Sequence, residues 1–205
     1  MGVMYYNYVS SEVKEMARER KYTDEDLFQA TKQMIIADGY EAFTFSKLAS
    51  VLNVSRGSIY KYYENKDELI SEFLMYEMNR FLKKFNDLDK SGDFQTQFDL
   101  IIDFIFEQSN IHQVVEIIPQ IPISTTKRVE DNKSKLSEYY VDMYEQFQGF
   151  IELGRQENVI KNHIPTAVLL GMIFQTIAIP NHFGIPQAEW VSSIKEILSH
   201  GMFEK

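Results

Sequence analysis

The chain has 205 residues and no cysteine. That excludes a disulfide frame, a thiolate metal site and a thiol nucleophile. Histidine is nearly as scarce, and the four present, His112, His163, His182 and His200, show no HExxH or comparable ligand spacing. There is no Gly-rich phosphate loop and no Ser, His, Asp set that can be assembled from the sequence, so an enzyme reading has no nucleophile, base or cofactor loop to rest on. No metal and no cofactor is expected. Long apolar runs are missing too. The longest, 167–179, is interrupted by Gln175 and Thr176, and it falls short of the roughly 20 residues that a membrane span needs. Residues 1–22 lack the unbroken apolar stretch of a signal peptide. A cytoplasmic protein with no membrane contact is expected. Prolines number only five, which leaves long stretches free for helices. No alternation of period two is long enough for a strand.

What the chain does have is aromatic bulk, with 15 Phe and 12 Tyr, enough for one large or two small domains with a proper core. The net charge of −9 is unevenly spread. Residues 1–66 carry 9 Lys/Arg and 9 Asp/Glu, whereas 67–205 carry 12 and 21. All the excess acid is therefore distal. Screening confines its reach to about 10 Å at ordinary salt, so it permits a local grip on phosphate while suppressing non-specific binding.

The organising stretch is 44–67, TFSKLASVLNVSRGSIYKYYENKD. Phe45, Leu48, Ala49 and Leu52 fall at i, i+3, i+4 and i+7, one buried stripe of a short helix. Thr44 stands before it as an N-cap. Asn53, which tolerates a left-handed backbone, ends it and turns the chain. Ser55 is expected to cap a second helix from Arg56, buried through Val54, Ile59 and Tyr62 or Tyr63. Arg56, Gly57, Ser58, Tyr60 and Lys61 would then point outward. Two helices joined by a tight turn, the second with an exposed polar N-terminal half, form the helix-turn-helix pattern for reading DNA.

The run GYEAFTFSKLASVLNVSRGSIYKYYENKDELI resembles the N-terminal domain of TetR-type transcriptional regulators. The matching features are Gly39-Tyr40 at the end of helix 1, Thr44 opening helix 2, Ala49 within it, Gly57 and Tyr60 in the recognition helix, and Lys66-Asp67-Glu68-Leu69 opening helix 4. Asn53 stands where Gly is usual in that pattern, and Tyr62-Tyr63 where His-Phe is common. Both departures keep the physical role. The resemblance is specific over about residues 22–82. It implies DNA contact by Thr44, Lys47, Ser55, Arg56, Gly57, Ser58, Tyr60, Lys61, Tyr62 and Lys66. Arg and Lys suit guanine or phosphate, Ser and Tyr hydroxyls suit phosphate, and Gly57 allows close backbone approach. Thr44, Lys47 and Lys66 lie at helix starts, where free N–H groups also meet phosphate.

Before this head, Arg18, Arg20 and Lys21 form either a basic arm beside the recognition helix or a frayed extension. Thr23 caps helix 1, with Asp24, Glu25 and Asp26 favourable to its dipole; Leu27, Ala30, Met34 and Ala37 face inward, and Gly39 ends it. Asn65 and Glu68 spell a capping box for a long helix 4 to about residue 88. The head is set at 22–66 and a second domain at 67–205, with helix 4 as linker and a loop at 86–93. Beyond it lie helices at about 94–110, 125–157 (capped by Thr125 or Thr126), 167–179 and 187–200, plus a short piece between Pro119 and Pro122. The fold class is all-α, near nine helices. Asp99, Asp103 and Glu107 recur every four residues, a solvated face or, less simply, a metal edge.

The aromatics Phe98, Phe106, Tyr139, Tyr140, Phe147 and Phe174, with Ile102 and Met143, are either plain core or the lining of a cavity for a small apolar or amphipathic effector. The resemblance favours the second use for some of them. It also implies a dimer through 165–200, as two half-sites on an operator require. The sequence thus points to a homodimeric, ligand-responsive repressor bound to double-stranded DNA. The alternative is an architectural DNA-binding protein without an effector.

Overall fold

The computed structural model describes residues 21–108, 117–122 and 126–203. The proposed basic arm at Arg18 and Arg20, and His112, lie outside the described residues. Eight α-helices and two short 3-10 turns are seen among them, with one isolated antiparallel bridge between Ile160 and Phe203. No helix among the described residues is long and apolar enough to cross a membrane.

Helix α1 (Asp24–Ala42) starts with a reciprocal capping box: the Thr23 hydroxyl accepts from Asp26 N, and the Asp26 carboxylate accepts from Thr23 N. Gly39 breaks it, with φ +78° and ψ 174°. The break swings Tyr40 under the start of the fourth helix. There its hydroxyl donates to Asp67 Oδ1 at 2.6 Å, an acid only 7% exposed. Buried in this way and beside that carboxylate, the Tyr40 hydroxyl is held well above the usual phenol range. Helix α2 (Phe45–Val51) and helix α3 (Arg56–Tyr60) are joined by a turn in which Asn53 takes φ +52°.

Helix α4 (Lys66–Asn86) buries residues around most of its circumference, from Leu69 and Ile70 to Phe81, Leu82 and Phe85. It packs on α1 on one side and on a 30-residue helix, α6 (Lys127–Gln156), on the other. Two-sided burial is what its wide apolar stripe requires. Its cap differs in detail from the expected box. Asn65 Oδ1 accepts from Glu68 N at 3.0 Å, but the Glu68 carboxylate takes the N–H of Glu64, not of Asn65.

Helix α5 (Phe94–Glu107) is capped by Asp93 and lies against α6 and the last helix, α8 (Gln187–Met202). Helix α7 (Thr166–Gln175) follows Pro165 and runs into a 3-10 turn at Thr176–Ala178. Lys195 of α8 reaches Asp99 at 3.2 Å and Asp103 at 2.8 Å. Two of the three acids expected as a solvated stripe therefore tie α5 to α8. Where α6 passes α5 at Gly154, a Cβ would lie 2.7 Å from the Phe94 ring, so only glycine fits. One continuous apolar core runs from Tyr22 to Met202.

Candidate nucleic-acid interface

The exposed face of α3 is built from beneath. Ile59 is fully enclosed and pins the helix to the core. The Tyr60 ring packs edge-on to Phe45 of α2 with centroids 5.0 Å apart, yet half of Tyr60 stays exposed. Arg56 lies one turn before it on the same face, its guanidinium 5.8 Å from the Tyr60 ring centre. Arg56, Gly57 and Lys61 are exposed and Ser58 half-buried. The sequence left Tyr62 and Tyr63 as alternatives for the inner position. Tyr63 is the inner one at 3% exposed, and Tyr62 faces out.

Two details depart from expectation. Ser55 occupies the cap position of α3 with extended backbone but makes no side-chain cap; its hydroxyl pairs with that of Ser58 at 2.9 Å. A five-residue helix closes too few backbone bonds to stand alone, so α3 depends on tertiary contacts. One is the Tyr22 hydroxyl, which donates to the Ser58 carbonyl at 3.1 Å. The second departure concerns Lys66. Its ammonium is turned inward, donating to the Tyr40 carbonyl at 3.0 Å and sitting 3.9 Å from the Tyr40 ring centre.

Thr44 caps α2, accepting from Lys47 N at 3.3 Å. Lys47 pairs with Asp38 at 3.0 Å, both largely exposed; an exposed pair of this kind holds weakly and can exchange for a phosphate. Thr44, Lys47, Arg56, Gly57, Tyr60 and Lys61 thus belong to the head formed by α1 to α3, whereas Lys66 serves its interior.

The second set of expected residues divides. Phe98 joins a ring cluster with Phe94 and Phe203, at centroid distances of 6.1 and 5.2 Å. Phe147 sits between Phe85 at 4.4 Å and Phe174 at 4.9 Å. Ile102 and Phe106 are buried, and Tyr140, Met143 and Phe174 half-buried. Burial pushes the Tyr140 hydroxyl up to about 12. A separate cleft of about 290 Å³ opens beside them, bounded by Phe85, Lys90, Ile101, Gln146 and Phe150.

Sequence reasoning missed Arg128. It lies in the first turn of α6 and reaches back to the segment that follows the recognition helix. A signal was present: Lys127 and Arg128 open a long helix, the end where a cation is unfavourable to the helix dipole. Such a local violation points to a tertiary partner.

A capped helix-turn-helix carried on a helical body defines a DNA-binding transcriptional regulator. Residues 27–73 match the family described as bacterial regulatory proteins, tetR family. An uncharacterized HTH-type transcriptional regulator of Haemophilus influenzae is 33% identical over 75 residues, which is 36% of this chain and 40% of that protein. The fatty acid metabolism regulator protein of Bacillus subtilis is 22% identical over 152 residues, 74% of this chain and 77% of that one. Among solved structures, the ketosteroid transcriptional regulator KstR2 of Mycobacterium tuberculosis superposes with a TM-score of 0.69 at 15% identity, covering 89% of this chain and 95% of the other. The regulator FadR of Bacillus subtilis, solved with stearoyl-CoA, superposes at 0.63 and 20% identity, covering 87% and 99%. At these identities the structural matches speak for the fold.

Proposed function

We propose that this chain is a homodimeric repressor, released from a near-palindromic operator when a small apolar or amphipathic molecule binds its second domain. The observation that carries the DNA half is the outward set on α3: Arg56, Gly57, Tyr60 and Lys61 are exposed above a buried Ile59. The dimer reading draws on the far end of the molecule. Val168 and Met172 of α7 and Ile197 of α8 are exposed apolar side chains, and Phe183, between those helices, is 92% exposed. Apolar area of this kind on adjacent helices favours association. Two heads on one duplex would then meet successive major grooves about 34–36 Å apart.

The effector reading draws on the aromatic cluster of Phe85, Phe147 and Phe174, in which Phe85 also lines the cleft of about 290 Å³. The names of the similar regulators direct the first compounds to try, which are long-chain acyl-CoA esters and ketosteroids. The architectural alternative requires loose binding to many sequences, and the acidic distal half opposes it.

The experiment begins with selection of duplexes from randomised DNA, followed by anisotropy titration at two salt concentrations. A discrete near-palindromic motif is expected, bound by two chains per duplex with a steep salt dependence. Addition of an effector lowers affinity by about 5–150-fold, the usual span of such coupling. Equal affinity for all sequences, or one chain per duplex, overturns the reading.

A further inference from the structure

The head and the long helix meet just after the recognition helix. Arg128 Nη1 donates to the Tyr62 carbonyl at 2.8 Å. Its Nη2 pairs with the Glu72 carboxylate of α4, and the guanidinium lies 4.8 Å from the Tyr63 ring centre. Two residues earlier, the Thr126 hydroxyl donates to Glu68 Oε1 at 2.7 Å, while Glu68 Oε2 accepts the Glu64 N–H at 2.9 Å. One turn further along α6, Asn132 Nδ2 donates to Ser71 Oγ at 3.0 Å. The partners are 56 to 66 residues apart in the chain. They converge on α4's first two turns and on the link between α3 and α4.

The recognition helix is too short to hold its own direction. Ile59 and the Tyr22 hydroxyl restrain it from within the head. The restraint on the Tyr62 carbonyl comes from the second domain. As an ion pair the contact is modest, because Arg128 is 40% exposed and solvent screens such pairs. Its value is geometric. A guanidinium holds its donors on separate nitrogens of one rigid plane and so fixes two acceptors relative to each other, whereas an ammonium's donors radiate from a single rotatable nitrogen. Any shift of the first turn of α6 therefore moves the Tyr62 carbonyl or breaks the bond to it.

We infer that Arg128 is a positioning residue for DNA binding: it sets the orientation of the recognition helix and makes operator affinity depend on where the first turn of α6 lies. The operator part rests on the DNA-binding reading above; the contact itself does not. A sensing event in the second domain needs no contact with DNA to act. It has only to favour an arrangement in which this fork is open.

The test uses the full chain with Arg128→Ala, Arg128→Lys and Glu72→Gln. Hydrogen exchange is followed for amides 56–64 in free protein, together with the thermal midpoint and anisotropy on a duplex selected by the unaltered chain. Arg128→Ala is expected to keep its midpoint within a few degrees, to exchange faster at 56–64, and to bind the duplex about tenfold more weakly, within the ordinary range of coupling. Arg128→Lys keeps the charge opposite Glu72 yet recovers only part of the affinity. Glu72→Gln retains the bond to Tyr62 and loses less than Arg128→Ala. Unchanged exchange and affinity in Arg128→Ala overturn the inference, as does full affinity in Arg128→Lys. If the alanine variant does not fold, the lysine and glutamine variants decide. If even the unaltered chain selects no duplex, the functional reading fails, and the exchange measurement still decides whether Arg128 orients α3.

Discussion

The Tyr22 hydroxyl and the Ser58 carbonyl are joined at 3.1 Å although 36 residues separate them. The bond ties the start of the head to the middle of the recognition helix. Tyr22→Phe leaves a carbonyl short of a partner and should cost about 1 kcal/mol of stability. Operator affinity should fall with it, at protein concentrations where the variant is fully folded. Chemical denaturation and a DNA titration measure the two separately, and an unchanged affinity would show that this bond does not orient α3.

Gly57 lies in α3, where an added Cβ would meet nothing closer than Ser55 Oγ at 3.8 Å. In free protein, Gly57→Ala should therefore be neutral or stabilising, by up to about 1 kcal/mol from helix propensity. If the backbone there approaches DNA closely, the same methyl group obstructs the complex, and steric crowding of that kind costs about 1–3 kcal/mol. A higher melting temperature with weaker DNA binding is the expected pair of results. Undiminished binding would remove Gly57 from the interface.

Arg56 and Lys66 should behave differently because one points out and the other in. Arg56→Ala is expected to change stability by less than about 0.5 kcal/mol, yet to cost about 1–3 kcal/mol of binding and relax preference at one base position. Lys66→Ala removes the bond to the Tyr40 carbonyl and the contact with its ring. It should destabilise the fold by about 1 kcal/mol and leave base preference unchanged. Competition assays against permuted duplexes separate the two patterns.

Gly154→Ala places a methyl group 2.7 Å from Phe94 and 2.9 Å from Ile160. Both neighbours are fully enclosed. A loss of about 1–3 kcal/mol is expected, read as a lower denaturation midpoint. Wild-type stability would mean that α5 and α6 can separate at little cost.

Acid should undo two helix starts. The Asp26 carboxyl is held below the usual range by N–H and hydroxyl donation from Thr23, and Asp93 likewise by the hydroxyl and N–H of Thr96. A depressed folded-state pKa contributes stability that is fully present above the unfolded value, about 3.9. It is lost as the pH falls through the lower folded values. Thermal midpoints should therefore decline as the pH falls below about 4, and Asp93→Asn should flatten part of that slope. An identical slope in the variant would discount the Asp93 cap.

Signals that act over a few residues were legible in the sequence. Thr23, Thr44 and Asn65 cap their helices, Asn53 turns left-handed, and Gly39 breaks α1, because each is decided by backbone geometry within one turn of chain. The same periodicity gave the all-α class and the outward set on α3. What only the tertiary structure decided is where long side chains go. Lys66, expected at phosphate, lies against the Tyr40 carbonyl and ring, and Ser55 pairs with Ser58 and not with a backbone N–H. Asp99 and Asp103 found Lys195, Glu68 became the buried meeting point of Glu64 and Thr126, and Arg128 reached the end of the recognition helix. Most of these choices depend on partners tens of residues away, whose positions are set by how α4 is sandwiched between α1 and α6. No local pattern carries that information, since a charged side chain can satisfy itself on any acceptor that packing brings within reach.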